Sequence, residues 1–130
     1  MGITDSNDIL VKLLKDKIPA VPSKAATAFG KIGNVDFAED YVPLLKDEDP
    51  IVRSNAATTL GKIGTVAFAE NLVPLLKDEV PSVRSQAAYS LGMIDSIDFA
   101  ENLVPLLKDE FSYIRLEAVN ALAKLLNIVN

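Results

Sequence analysis

Residues 42–53, VPLLKDEDPIVR, decide the fold of this chain because the same pattern occurs again at a fixed distance. VPLLKDEVPSVR begins at Val73 and VPLLKDEFSYIR begins at Val104. A weaker version, VKLLKDKIPAVP, begins at Val11, so the four starts are evenly spaced. The period of about 31 residues lies in the range of about 20–50 that is the sequence signature of a solenoid, in which each unit stacks only on its neighbours. Such a chain is expected to present an extended surface, which favours binding over catalysis.

Each unit has the pattern of two amphipathic helices joined by a polar turn. In the second unit the turn KDEDP separates two apolar stripes of helical spacing, which are Phe37, Tyr41, Leu44 and Leu45, then Val52, Ala56, Leu60 and Ile63. Gly64 is expected to end the second helix as a left-handed cap, and Asp36 and Asp98 to cap the first helix of their units. Proline at 43, 74 and 105 is expected to bend that first helix. We predict an all-α fold of four hairpins in one domain covering 1–130, with units at about 3–33, 34–64, 65–95 and 96–130.

Composition argues against several classes of function. The chain has no histidine, the usual general base and the commonest zinc ligand, and no cysteine for thiolate chemistry. The acidic turns lack the alternating oxygen ligands and the glycine of a calcium loop. We therefore expect no enzymatic activity, no metal and no cofactor. A net charge of −5 disfavours nucleic acid as a partner, and no apolar run is long enough to span a membrane. The absence of cysteine favours a cytoplasmic location.

The segments LLKDEDPIVRSNAATTLGKIG at 44–64 and LLKDEVPSVRSQAAYSLGMID at 75–95 resemble the HEAT-like repeats of the phycobilisome-lyase type. This resemblance implies a right-handed α-solenoid, with the first helix of each unit on the convex side and the second lining the concave side. It also implies a binding scaffold. The chain departs from the repeat pattern at Pro22, which replaces an arginine, at Asp95, which replaces a glycine, and at Ala123 and Leu126. The identity of 68–79 with 99–110 indicates recent duplication or a consensus-designed array.

Charged residues recur with the same period at the start of each second helix. Arg53, Arg84 and Arg115 are each separated by one repeat period, and so are the turn acids, Asp47, Asp78 and Asp109. A cation early in a helix opposes the helix dipole and needs a compensating negative group. We predict an Arg–Asp ladder between adjacent units, with phosphate binding by the arginines as the alternative.

The second helices also carry positions that vary while the surrounding pattern repeats. We predict that these positions bind a partner in the concave groove, and they are Ile51, Asn55, Thr58, Lys62, Gln86, Tyr89, Met93, Tyr113, Leu116, Asn120 and Lys124. Tyrosine is enriched in binding hot spots, and methionine suits adaptable contact surfaces. The sequence therefore predicts a protein or peptide partner, and Lys31, Lys62 and Lys124 favour an acidic one. In the alternative interpretation, Tyr113 and Leu116 only seal the last unit.

Two further roles and two states of association remain open. By analogy with the bilin lyases, the chain is alternatively an accessory subunit of a cofactor-attachment enzyme, and a nucleic-acid module is less favoured. The C-terminal helix ends with Leu125, Leu126, Ile128 and Val129 close together. Because a terminal repeat usually has a polar outer face, this tail either folds back on a monomer or marks end-to-end self-association.

Overall fold

The computed structural model describes residues 12, 13, 16, 21, 24, 25, 38–63 and 66–127. Every regular element within these ranges is helical. Most of the first predicted hairpin, the Asp36 cap and the Gly64 cap lie outside the described residues. The described part of the chain is an all-helical solenoid.

The elements follow the repeat. In the second unit, the 3-10 turns Glu39–Tyr41 and Pro43–Lys46 precede helix α1, Pro50–Ile63. In the third unit, the 3-10 turn Val66–Phe68 leads into helix α2, Ala69–Leu72. The 3-10 segment Val73–Lys77 follows, and then comes helix α3, Pro81–Ile94. In the fourth unit, the 3-10 turn Ile97–Phe99 leads into helix α4, Ala100–Leu103. The 3-10 segment Val104–Lys108 follows, and then comes helix α5, Ser112–Leu125. The long helices α1, α3 and α5 begin at 50, 81 and 112, so their starts keep the period of the sequence.

In the second, third and fourth units, the segment that contains the proline has 3-10 rather than α-helical hydrogen bonding. In the third unit, α2 ends at Leu72, and Pro74 lies in the first turn of the 3-10 segment that follows. Proline has no amide hydrogen to donate to the carbonyl four residues back, so the ladder of α-helical hydrogen bonds is interrupted there. The chain tightens instead into bonds between residues three apart, such as the 3.1 Å bond from the Asp78 amide to the Leu75 carbonyl.

The predicted cap at Asp98 is wrong. Asp98 lies inside the turn Ile97–Phe99, whose N-cap is Ser96, and no side chain caps that turn. The equivalent turn Val66–Phe68 forms with Ala67 in the same position. The turn therefore does not depend on a capping carboxylate.

The long helices approach one another closely through small residues. A Cβ atom on Gly61 would lie 2.6 Å from the Cβ of Ser90, and one on Gly92 would lie 3.1 Å from the Cβ of Ala121. The alanine pairs at 56–57 and 87–88 are fully buried in the same layer. The α2 and α4 side of the stack is looser and leaves open clefts between successive units. The stack is therefore tighter along α1, α3 and α5 than along its other side.

Asp95 ends α3 in the left-handed conformation, with φ 61° and ψ 47°. It occupies the position at which the repeat pattern has glycine. Aspartate tolerates this conformation better than most residues because its short polar side chain can form local hydrogen bonds. The left-handed turn between the third and fourth units therefore forms with aspartate in place of glycine.

Candidate partner-binding surface

Helix α1 contributes four of the predicted binding residues. Ile51 is 46% exposed at the start of the helix, whereas Asn55, Thr58 and Lys62 are half-buried. The Thr58 hydroxyl donates a 3.0 Å hydrogen bond to the Ser54 carbonyl, four residues back in the same helix. The α1 part of the surface is therefore mostly polar, and its one large exposed apolar side chain is Ile51.

Helices α3 and α5 carry the more apolar part of the predicted set. Tyr89 is 38% exposed, Tyr113 is 50% exposed and Leu116 is 60% exposed. The other members are Gln86 and Met93, which are half-buried, and Asn120 and Lys124, which are exposed. The residues of these helices that repeat from unit to unit, such as Leu91 and Ala118, are instead at most 1% exposed.

Two contacts organise the aromatic residues of this surface. The Lys124 Nζ lies 5.3 Å from the centre of the Tyr89 ring, which links α5 to α3 by a cation–π contact. The Phe111 and Tyr113 rings lie 5.9 Å apart at an interplanar angle of 41°. Phe111 is 39% exposed and was not among the predicted residues. A signal for it exists in the sequence, because the fourth turn has KDEF where the others have KDEDP and KDEVP.

The surface carries charges of both signs. Glu117 is half-buried on α5, and burial raises the pKa of its carboxyl group, although the positive charge of Lys124 opposes this shift. Lys62 and Lys124 lie within the described residues, whereas Lys31 lies outside them. The described part of this surface therefore carries two lysines and one carboxylate.

Arg53 and Arg84 join successive units by the same bridge. The Arg53 Nε donates to the Asp78 Oδ2 at 2.9 Å, and the Arg84 Nε donates to the Asp109 Oδ2 at 2.9 Å. The second terminal nitrogen of each guanidinium donates to the other carboxylate oxygen, at 3.1 and 3.3 Å respectively. The remaining nitrogen, Nη1, donates to the carbonyl of the acid in its own turn, Asp47 or Asp78, at 2.8 Å. With these donors engaged, Arg53 and Arg84 are poorly placed to bind phosphate.

The bridges change the acidity of the two carboxyl groups. Burial alone would raise the pKa of Asp78, but hydrogen bonds from Arg53 and from the Val80 amide, with the nearby positive charges, lower it below its ordinary value. The same opposing effects, with Arg84 and the Phe111 amide as donors, lower the pKa of Asp109. Both acids are therefore held as carboxylates that bind the preceding unit.

The two ends of the predicted ladder differ from its middle. At the first end, the arginine position one unit before Arg53 is occupied by Pro22. Arg115 donates a 2.7 Å hydrogen bond to the Asp109 carbonyl and has an exposed side chain. Among the described residues, no carboxylate lies within salt-bridge distance of Arg115.

The open clefts lie on the other side of the stack. One cleft, of about 630 Å³, lies between the third and fourth units and is lined by residues that include Val66, Glu70 and Asn102. Two smaller ones occupy equivalent places, beside Pro74 and beside Pro105. Within the described ranges, no group of three or more acidic, histidine or cysteine side chains is placed to hold a metal ion. No helix in this part of the chain is long and apolar enough to cross a membrane.

Comparison with known proteins identifies the family. Two engineered proteins have similar crystal structures. The first has 27% sequence identity and a TM-score of 0.68, and the match covers 93% of this chain and 62% of that protein. The second has 26% sequence identity and a TM-score of 0.62, and the match covers 91% of this chain and 62% of that protein. The complex of CpcE and CpcF of phycocyanin lyase from Nostoc sp. PCC7120 has a TM-score of 0.60 over 93% of this chain and 65% of its own. At 18% identity, that likeness shows the fold alone.

The chain spans less than two thirds of the length of each of these three structures. No curated protein sequence matches it. The sequence model of the family described as HEAT repeats matches residues 38–123, about two thirds of the sequence. The chain therefore belongs to the HEAT-repeat family.

Proposed function

We propose that the chain is a non-enzymatic scaffold that binds a protein or peptide along the exposed side of α1, α3 and α5. One observation carries this proposal. The exposed fraction is 38% for Tyr89, 50% for Tyr113 and 60% for Leu116, although the residues that repeat along the same helices are buried. Large exposed apolar side chains that lie close together mark interaction sites on soluble proteins.

The packing of the stack supports a groove at this surface. Neighbouring long helices touch through Gly61 and Gly92, whereas clefts separate the α2 and α4 segments on the other side. A stack of units that is tighter on one side curves towards that side. Curvature of this kind gives repeat proteins their concave binding surfaces.

The side chains suit the role of an anchor. The Lys124 ammonium restrains the Tyr89 ring, so burying that ring against a partner costs less conformational entropy. Met93 is half-buried beside this region and can adapt its shape to a ligand. A partner with acidic groups near Lys62 and Lys124, and an uncharged group near Glu117, would complement the surface best.

The test is a pull-down from a lysate of the source cells with three immobilised proteins. These are the native chain, the double variant Tyr89→Ala/Tyr113→Ala and the control Val66→Ala/Ile97→Ala, which removes exposed apolar side chains outside the surface. We expect a partner that the native chain and the control retain and the tyrosine variant loses. If each of the two truncations costs about 1–2 kcal/mol or more of binding free energy, the double variant should bind the partner about 30-fold more weakly or worse. A partner retained equally by all three proteins would move the binding site to the clefts or to the ends of the stack.

An accessory role in a cofactor-attachment enzyme is the second candidate, and the fold of the phycocyanin lyase complex is the observation that favours it. In that case a bilin tetrapyrrole mixed with the chain should change its visible absorbance, and the tyrosine variant should lose the change. Nucleic acid is disfavoured by the net charge of −5, and retention on heparin that falls steeply with salt would be needed to revive it.

A further inference from the structure

Two of the open clefts join into one groove between the third and fourth units. The cleft of about 630 Å³ and the adjoining cleft of about 320 Å³ share two lining residues, Val73 and Asn102. One wall belongs to the third unit, and its side chains are spaced by four, three and four residues, as on one face of a helix. They are Val66, Glu70, Val73 and Lys77. We call the two joined clefts the α2–α4 groove.

Apolar side chains line the groove along its length. Val66 is 50% exposed in the larger cleft, and Pro105 is exposed in the smaller one. Phe99 also lines the larger cleft, and Leu76 and Leu106 line the smaller one. The wall from 66 to 77 corresponds to about three helical turns, or about 15–20 Å. A groove of this length and lining matches the apolar face of one short amphipathic helix.

The two ends of the groove carry opposite charges. Glu70 and Asp98 line the larger cleft with exposed side chains, and no described lysine or arginine lines it. Lys77 lines the smaller cleft, where no carboxylate of the described residues is present. The joint between the second and third units has Lys46 at the position of Lys77, but it has Ala67 at the position of Asp98. The charge pattern therefore distinguishes the α2–α4 groove from its neighbour.

We propose that the α2–α4 groove is a second docking surface, which binds an amphipathic helix of a partner protein. Apolar side chains of that helix fill the clefts, a basic side chain in its last turn pairs with Glu70 and Asp98, and an acidic side chain in its first turn pairs with Lys77. This charge order also stabilises the bound helix through its own macrodipole, so the helix runs antiparallel to α2. The groove lies on the other side of the stack from Tyr89 and Tyr113, and the proposal is independent of the function proposed above.

Binding in this groove should be weak and reversible. A short isolated helix is mostly unfolded in water and must be ordered when it binds, and exposed ion pairs contribute little each. We therefore expect a dissociation constant of about 100 µM for a single short helix. The surface around Tyr89 and Tyr113 offers aromatic anchors, so a selection for the tightest ligand should favour that surface over the groove.

Titration of the isotope-labelled protein with a synthetic helix, followed by amide chemical shifts, tests this proposal. The ligand is a blocked peptide of about 14 residues with two glutamates in its first turn, leucines along one face and two arginines in its last turn. We expect saturable shift changes at 66–77 and 98–106. Asn102→Arg places a charge among the apolar contacts and should weaken binding about tenfold. Asn71→Arg is the matched control, since Asn71 is the same residue one unit earlier and lines the neighbouring cleft, and it should leave the affinity unchanged.

Charge reversal then tests the recognition of the two ends. Glu70→Lys/Asp98→Lys should weaken binding of the peptide about tenfold, because attraction to the two arginines becomes repulsion. A second peptide, with glutamates in place of the arginines, should bind this variant more tightly than it binds the native chain. Tyr89→Ala/Tyr113→Ala should leave the affinity for the first peptide unchanged, which separates the groove from the surface proposed above. Circular dichroism of each variant verifies that it is folded.

Three results would overturn the proposal. The first is the absence of shift changes at 66–77 and 98–106 at peptide concentrations up to about 2 mM, well above the expected dissociation constant. The second is an affinity that Glu70→Lys/Asp98→Lys and Asn102→Arg do not change. The third is a set of shift changes at the groove that appear with rising protein concentration alone, because that result assigns the groove to a second copy of the chain.

Discussion

The bridge between Arg84 and Asp109 allows a quantitative test of how the units hold together. Arg84→Ala removes the two bonds to the Asp109 carboxylate, at 2.9 and 3.3 Å, and the 2.8 Å bond to the Asp78 carbonyl. It leaves the Asp109 side chain, which is 8% exposed, as a nearly buried carboxylate without its cation. Arg115→Ala is the matched control, since Arg115 is the same residue one unit later but makes only the 2.7 Å bond to the Asp109 carbonyl.

The two substitutions should differ severalfold in cost. Removing one partner of a buried ion pair destabilises a protein by about 3–5 kcal/mol, and we expect about 2–4 here because both side chains still touch water. Loss of one exposed hydrogen bond from a charged donor costs about 0.5–1 kcal/mol. For a chain of this size, 1 kcal/mol corresponds to about 3–4 °C in Tm, so we expect a fall of about 6–15 °C for Arg84→Ala and of about 2–4 °C for Arg115→Ala.

Thermal unfolding followed by circular dichroism measures the difference. Hydrogen exchange adds the location, because Arg84→Ala should speed exchange in 97–127 more than in 38–63. Equal and small changes in Tm for the two variants would refute the reasoning, since the bridge would then contribute nothing beyond a surface hydrogen bond.

Two further predictions concern the pH dependence of stability and the close packing of the long helices. The lowered pKa values of Asp78 and Asp109 mean that the folded state binds their protons less readily than the unfolded state does. Their stabilisation is therefore present above the ordinary aspartate pKa of 3.8 and is lost as the pH falls through the lowered folded values. The urea midpoint should fall as the pH drops below about 4, and Asp109→Asn should reduce that dependence; a midpoint independent of pH would contradict this. Gly61→Ala places a Cβ 2.6 Å from that of Ser90 and should cost about 1–3 kcal/mol in urea unfolding. Gly92→Ala, at 3.1 Å, should be near neutral, and the reverse order would exclude the close approach as the cause.

The repeat predicted the order of the elements but not their internal geometry. The spacing of Val52, Ala56 and Leu60 was sufficient for α1, because amphipathic spacing reports directly which side chains are buried. The bend predicted at Pro74 did not specify the local hydrogen bonding, since a missing amide hydrogen indicates a disrupted helix but not the 3-10 segment that forms there. The close contact at Gly61 was not foreseen, because it depends on the residue opposite it in the next unit, Ser90.

Position in the stack also limits what the sequence can show. Leu76 and Leu107 lie within identical segments, yet one is buried and the other is 38% exposed. Their local sequences cannot distinguish them, because the difference arises from the unit that covers Leu76. For the candidate site, the exposure of Tyr113 and Leu116 agrees with their irregularity in the repeat, whereas the contribution of Phe111 comes from a turn outside the predicted helix.

The central claim is that the exposed side of α1, α3 and α5 binds a partner, and mapping of amide chemical shifts tests it most directly. The probe is the tightest peptide selected from a random displayed library on the native chain, titrated into the labelled protein at low concentration. The account predicts that the largest shift changes fall on α3 and α5 around Tyr89, Met93, Tyr113 and Leu116, and that Tyr89→Ala/Tyr113→Ala abolishes them. Shift changes confined to 66–77 and 97–108, the segments that line the clefts, would contradict it.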